Sequence, residues 1–534
     1  MPCYTTRSYF SLSNIRMQQL ARLARGLASP AILMVVVWSA ASIAVGIGPI
    51  DYPMQPTPVV LVLIAAGVSL FSLACWAGVR CFSAWFGRRS NMRAPSTRLL
   101  NQVVIATSLI GVAGIGLMAL DRLVFSGLSN VGYAELLRCA PWLVDIIEIK
   151  RTPLLYVGYL TFSFGSASLV LFFLKGDEID RGAAALAQIS ILSPVGHALL
   201  YSGRMPILLV IVLIVSAILL RIRQGKPPVP RGHHLVLKTA VVFLLFLIYS
   251  SSMWSSRQNF CVQMTGLVRE LQQRMTERDI GRGSPSAAIQ QKEGQNSQAF
   301  PNEAISAADL NEMVAEARTT PAIAATDGGD FLAKIKEAWH VEPRPYVISA
   351  IDSGILSPSA AMSFLSTYFY LTHGIRVLDA TWRAREQFSP QWGVYEIGVL
   401  SPMLRVFFPQ GQRLAEMERQ LKSAEIYGFF PTAWGSAYID FGMAGAIIYI
   451  WIWGFVAGWS DFGARHSGLV TPSLLLTFVL ASIFLSPVQG PLGIANSALV
   501  LLSMIVAGLA IDLALLKKWV RQGADKFELE RPVT

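Results

Sequence analysis

Runs of about twenty apolar residues, each closed by a short polar break, set the pattern of this chain, and runs of that length suit helices crossing roughly 30 Å of hydrocarbon. Ten stretches qualify, near 29–50, 59–79, 99–120, 154–174, 182–201, 205–222, 235–253, 438–459, 468–488 and 492–516. Ser190, Pro194 and His197 interrupt the fifth, and the tight Ser202-Gly203-Arg204 turn separates it from the sixth. The first opens on Ser29-Pro30, a capping residue followed by proline at the first helical position. Because the basic start at Arg16, Arg22 and Arg25 leads into a full-length apolar run, no cleavable signal peptide is expected.

Composition agrees with the pattern. Of 534 residues, 53% are hydrophobic and only 14% charged, with a mean hydropathy of +0.49, which excludes disorder and a soluble enzyme. Five cysteines without paired spacing exclude a disulfide scaffold and a zinc cluster. The net charge of +11 fits basic cytoplasmic loops and is a poor argument for nucleic acid. With the N-terminus cytoplasmic, the short inner segments collect 22 Lys/Arg and the short outer ones only Arg122, Arg138, Lys150, Arg151 and Arg204. The expected fold class is therefore all-α: a polytopic helix bundle of about ten spans with both termini cytoplasmic. Residues 1–253 form an N-terminal bundle of seven spans, 438–516 the last three, and 517–534 a cytoplasmic tail.

The insertion between them, 254–437, falls on the outer face. Its first part, to 335, is polar and partly flexible, with a helical patch at Leu267, Leu271 and Met275 and a Gln/Ser/Ala-rich run. Its second part, 336–437, sets aromatics beside charges: Trp339, His340, Tyr346, Tyr370, Trp382, Trp392 and Tyr395. Ser357-Pro358-Ser359 begins a short interfacial helix carrying Met362, Phe364, Leu365 and Phe369. Further short helices are expected at 403–408 and 414–421, the whole forming a cap. The bland reading of the aromatics is an interfacial belt; the functional one stacks them on sugars.

Patterns for nucleotide, haem, flavin or metal binding are missing from the sequence, so no cofactor and no metal are expected. Arginine is the group to follow, because its planar donor fork suits phosphate oxygens. Arg204, in its tight turn, either snorkels to headgroups or faces a phosphate, and Arg138 is similar. Arg122 is expected to serve Asp121. His373, Arg376, Asp379 and Arg383 recur every three to four residues, beside Tyr370 and Trp382. That face is either a solvated, salt-bridged surface or the inventory of glycosyl transfer, a proton acceptor beside phosphate-holding guanidiniums. Asp440 is expected as a structural cap, and Gly442 and Gly445 as points where a neighbouring helix approaches closely.

Two short stretches suggest a family. The segment Pro431-Thr432, Gly435, Tyr438-Ile439-Asp440-Phe441-Gly442 and Gly445, and the Ser202-Gly203-Arg204 turn before Pro206-Ile207-Leu208-Leu209, resemble motifs of the Wzy-type oligosaccharide repeat-unit polymerases of O-antigen and exopolysaccharide assembly. The large outer loop and the hydropathy layout match as well, whereas the polar part, 254–335, departs from the family's compact form. The resemblance implies a metal-independent, GT-C-like glycosyltransferase of the bacterial inner membrane with its active site facing the periplasm. Its substrates would be undecaprenyl-pyrophosphate-linked oligosaccharides. Its partners would be membrane lipids and the flippase and chain-length regulator of the same pathway, without nucleic acid. It points to Arg204, Arg376 and Arg383 as pyrophosphate ligands, with Arg138 as a weaker match. The residues themselves suggest His373 as general base, since an imidazole accepts a proton near neutral pH, with Asp379 or Asp352, as carboxylates enclosed in an apolar cap, as alternatives. An O-antigen ligase shares the same architecture, and a transporter would need repeated halves that the sequence does not display.

Overall fold

The computed structural model describes residues 26, 28–52, 55–86, 95–125, 152–201, 203, 205–230, 341–393, 395–397, 430–493 and 496–529. Their helices in chain order are α1 (Pro30–Ile47), α2 (Pro58–Phe86), α3 (Thr97–Leu120, continued by a π-turn at Asp121–Phe125), α4 (Pro153–Thr161), α5 (Phe164–Lys175), α6 (Arg181–Ile189), α7 (Leu192–Leu200) and α8 (Met205–Arg223). Within the insertion come α9 (Pro345–Asp352) and α10 (Pro358–Arg383), followed by α11 (Thr432–His466), α12 (Thr471–Leu485) and α13 (Ser497–Leu529). Two strands, β1 (Ile50–Asp51) and β2 (Glu342–Pro343), pair antiparallel.

Taking α4–α5 and α6–α7 as one unit each, eight helices among the described residues are long and apolar enough to cross a membrane. Their surface is inverted relative to a soluble protein. Ile43, Ile47, Val62, Leu73 and Ile448 are exposed, while Ser166, Ser168, Ser190, Ser193 and Asp461 are buried. Water would penalise so broad an apolar exterior and lipid does not. The chain is an all-α polytopic membrane protein.

Three expectations change in detail. The stretch 468–488 forms only the 15-residue α12, about 22 Å long, and then an irregular segment. The eighth stretch begins at Thr432, ahead of 438. The helix after Ser357 runs for 26 residues and is no short interfacial piece. Its start is capped by the Ser357 hydroxyl, which accepts from Ala360 N at 3.3 Å. The stretch 235–253, the polar part 254–335, and the helices expected at 403–408 and 414–421 lie outside the described residues.

Two breaks answer each other inside the bundle. Ser193 Oγ donates to Phe162 O at 2.5 Å and Ser190 Oγ to Gly165 O at 3.0 Å, so serines at the α6–α7 break give second donors to carbonyls at the α4–α5 break. Pro194 sits in the first turn of α7, where its missing N–H costs nothing. The closest approach of backbones joins α2 to α11. Gly454 and Gly458 lie one turn apart and rest on the carbonyls of Phe71 and Cys75, with Gly78 against Phe455 in return.

One device recurs at three helix starts. Asp379 of α10 accepts from Thr57 N and Oγ1 (3.2 and 2.5 Å) ahead of Pro58. Asp121 accepts from Thr152 N and Oγ1 (3.1 and 2.5 Å) ahead of Pro153. Asp512 of α13 accepts from Val470 N and Thr471 N (2.8 and 2.9 Å) ahead of Pro472. Each carboxylate satisfies amides left open at a helix N-terminus and faces the positive end of its dipole.

Basic residues gather at one end of the bundle. The fully buried Arg221 donates to Phe173 O at 3.0 Å and pairs with Asp177 at 2.8 Å. Arg223 donates to Ala28 O at 2.5 Å and pairs with Asp461 at 2.6 Å. The start of α1 and the outgoing part of α13 both lie at this end.

Candidate functional site

The opposite end is assembled from the α1–α2 connection, the β1–β2 ribbon, α9, α10, a turn at 391–397, the start of α11 and the loop 486–496. Ile50 pairs with Pro343 and Asp51 with Glu342, and Arg344 N donates to Pro49 O at 2.9 Å. This ribbon ties the chain ahead of α9 to the first helical hairpin. Among the described residues, the non-glycine positions with positive φ are Trp392 (55°), Thr432 (67°) and Asn496 (69°), and all three lie here. For L-residues this conformation costs about 1–2 kcal/mol each, and such strain concentrates where function requires a particular geometry.

On α10, Thr372, Arg376 and Asp379 meet the α1–α2 connection as one face, which Arg383 continues. The Tyr52 hydroxyl lies 2.6 Å from Thr372 Oγ1, and the Arg376 guanidinium stands 5.0 Å from the Tyr52 ring centroid. Burial raises the Tyr52 phenol to about 12 and lowers Arg376 from its ordinary value. Arg383 pairs with Asp379 at 2.8 Å. With Thr57 also on its Oδ1, Asp379 serves as a brace between helices and is poorly placed as a base. Asp352 ends α9 exposed to solvent, which removes the apolar enclosure expected of it. His373 stacks on Phe369 at 4.3 Å, and Tyr370 meets Phe430 edge-on at 5.9 Å. Trp382 lies 6.0 Å from the Tyr438 ring with the Arg385 guanidinium 5.3 Å from its centroid, an aromatic platform. Arg138 and Arg204 lie outside the described residues. Arg122, expected to serve Asp121, stands 5.6 Å from the Tyr201 ring.

At the same end of the bundle is a carboxyl that sequence reasoning passed over. Glu396 is completely enclosed. Its Oε1 accepts from the Tyr449 hydroxyl at 2.7 Å and from Leu492 N at 3.1 Å, while Oε2 finds no hydrogen-bond partner among the described residues. Gly490 lies against it so closely that a Cβ there would fall on the carboxylate. Burial, aided by the neighbouring Asp440 charge, pushes Glu396 from 4.5 to about 7, against the two donors that favour the ionised form. The usable signal was a lone acid, Glu396, within the apolar run Val394 to Leu400.

Asp440, fully buried, holds the turn that carries Glu396. It accepts from Tyr395 N at 2.9 Å and Glu396 N at 2.6 Å. The turn also uses the carbonyls just before the break in α11, with Gln391 N on Ile439 O at 3.2 Å and Trp392 N on Asp440 O at 2.7 Å. Gly442 makes that break with φ 65°, ψ −173°. Its role is this left-handed backbone, and the atom nearest a Cβ would be Pro390 at an ordinary 3.7 Å. Gly445 yields to Phe441 of its own helix, so neither glycine receives a neighbouring helix as the sequence suggested; Gly454 and Gly458 do. The Trp392 indole, 70% exposed, projects from the strained turn.

The arrangement sets at one end of the bundle an enclosed carboxyl raised to about 7, a partly desolvated guanidinium and exposed aromatic rings. Comparison with protein-family models, with curated proteins and with solved structures gives no match, so the chemistry of this end stands on its own residues.

Proposed function

We propose that this chain is a membrane glycosyltransferase that polymerises undecaprenyl-pyrophosphate-linked oligosaccharide repeat units on the periplasmic face of the inner membrane. The observation that carries the reading is the near-neutral, enclosed Glu396 at the same strained bundle end as Arg376. In the reaction, an acceptor hydroxyl forms a bond to the anomeric carbon while the bond from that carbon to the pyrophosphate oxygen breaks. The leaving pyrophosphate keeps the electron pair, and the hydroxyl proton passes to a base. Arg376 and Arg383 meet the developing negative charge, Glu396 takes the proton, and Trp382, Tyr370 and Trp392 stack on sugar rings. Glu396 is fully enclosed, with Gly490 against its carboxylate, so this enclosure must open for the acceptor to reach it.

A ligase would run the same chemistry onto a different lipid acceptor, and the acceptor used in the assay separates the two. A transporter is disfavoured because the paired helix breaks are bonded to each other through Ser190 and Ser193. The test is the purified protein given a synthetic lipid-linked repeat unit, with products resolved as a ladder; absence of any extended product from an active-site-intact preparation rejects the assignment. Arg376→Lys keeps the charge and loses the fork, and should reduce extension at least about tenfold. Extension at the native rate at limiting donor would remove Arg376 from the pyrophosphate site.

A further inference from the structure

At the basic end, far from the site just described, a cavity of about 600 Å³ opens between α5, α8, α11 and the start of α12. Its wall has two characters. Lys175, Arg223 and Arg465 bring three positive charges to it, while Leu174, Leu220 and Val470 supply apolar surface. Two of the nearby carboxylates are shared. Asp461 bridges Arg223 and Arg465, and Glu178 pairs with both Lys175 (3.3 Å) and Lys226 (3.2 Å). With Arg221 on Asp177, the ion pairs of this end set five cations against three carboxylates, a local excess of positive charge. Arg223 makes both of its contacts, to Ala28 O and Asp461, through Nη1. Lys175 and Arg465 retain exposure along their side chains. Ser473 adds a hydroxyl to the wall.

A cationic pocket with apolar flanks, set where helices of a membrane bundle end, matches a phosphate group attached to something greasy or lying at a headgroup layer. We propose that this cavity binds a phosphate-bearing anion, Lys175 and Arg465 holding its oxygens beside Arg223, with either an anionic phospholipid headgroup or a soluble phosphate as the source. It is independent of the glycosyl-transfer reading, since no residue is common to the two sites.

The experiment uses the full chain in detergent, with three probes titrated separately: short-chain phosphatidylglycerol, short-chain phosphatidylcholine and inorganic phosphate. Thermal unfolding and native mass spectrometry read binding. Phosphatidylglycerol, inorganic phosphate or both should raise the melting temperature, and phosphatidylcholine should do so less. A response to phosphatidylglycerol alone identifies a lipid site, and an equal response to inorganic phosphate a soluble-anion site. The double variant Lys175→Gln/Arg465→Gln should weaken binding at least about tenfold, the scale of a lost charge-assisted contact. Should the double variant not fold, Lys175→Gln alone gives the readout, since Lys175 pairs only at the surface with Glu178. No stabilisation by either anionic probe, or equal stabilisation of wild type and variant, overturns the proposal.

Discussion

Glu396→Gln should lower turnover on a lipid-linked donor by at least about a hundredfold, the scale of losing a positioned proton acceptor. Glutamine keeps the shape and can still accept from the Tyr449 hydroxyl and Leu492 N, so the protein should insert and fold. A base acts as carboxylate, so wild-type kcat/KM should rise about tenfold per pH unit below the Glu396 value of about 7 and level off above it. The variant should lose that limb. Stability supplies a second readout of opposite sign. The folded carboxyl keeps its proton up to about 7, whereas the unfolded chain releases it above 4.5. The folded state therefore binds more protons across that window. Its stability is greatest below 4.5, declines as pH rises towards 7 and is level beyond. Glu396→Gln should flatten this decline in melting experiments. Full turnover with the acidic limb intact would pass the role of base to His373, and His373→Gln would then be the variant that loses it.

Gly458→Leu should prevent recovery of folded protein, costing at least about 3 kcal/mol. A side chain there begins inside the Cys75 carbonyl, which is backbone and cannot rotate away, so α2 and α11 would have to part along their contact. Gly116→Leu is the control. Nothing lies within 4 Å of a Cβ at Gly116, so the same added bulk should meet only lipid and be tolerated. Size-exclusion profiles of detergent extracts distinguish the outcomes; a monodisperse, normally melting Gly458→Leu protein would show that the close packing is dispensable.

Helix positions in the membrane were legible because a twenty-residue apolar run has few other solutions in lipid. The broken fifth stretch was legible through Ser190, Pro194 and His197. Side-chain partners were not. The spacing of Arg376, Asp379 and Arg383 correctly marks one helical face, yet nothing local says that Thr57, more than three hundred residues earlier, takes the Asp379 carboxylate. Glu396 escaped for the same reason. Its enclosure is made by Tyr449 and Gly490, both distant in sequence, whereas its own neighbours look like an ordinary outer loop. Gly442 and Gly445 illustrate the converse: small residues advertise close packing, but a glycine needed for its φ carries the same letter.

The three aspartate-braced helix starts imply an order of assembly. Asp121 lies 31 residues before the amide it receives and Asp512 41 to 42 residues after its two, so those braces close soon after their helices leave the ribosome. Asp379 follows Thr57 by 322 residues. Throughout the synthesis of α3 to α9, Thr57 at the N-terminus of α2 is without this carboxylate. Insertion of the first hairpin and its final docking are thus separate events in biogenesis, and the early half of the bundle remains adjustable until α10 arrives to fasten it.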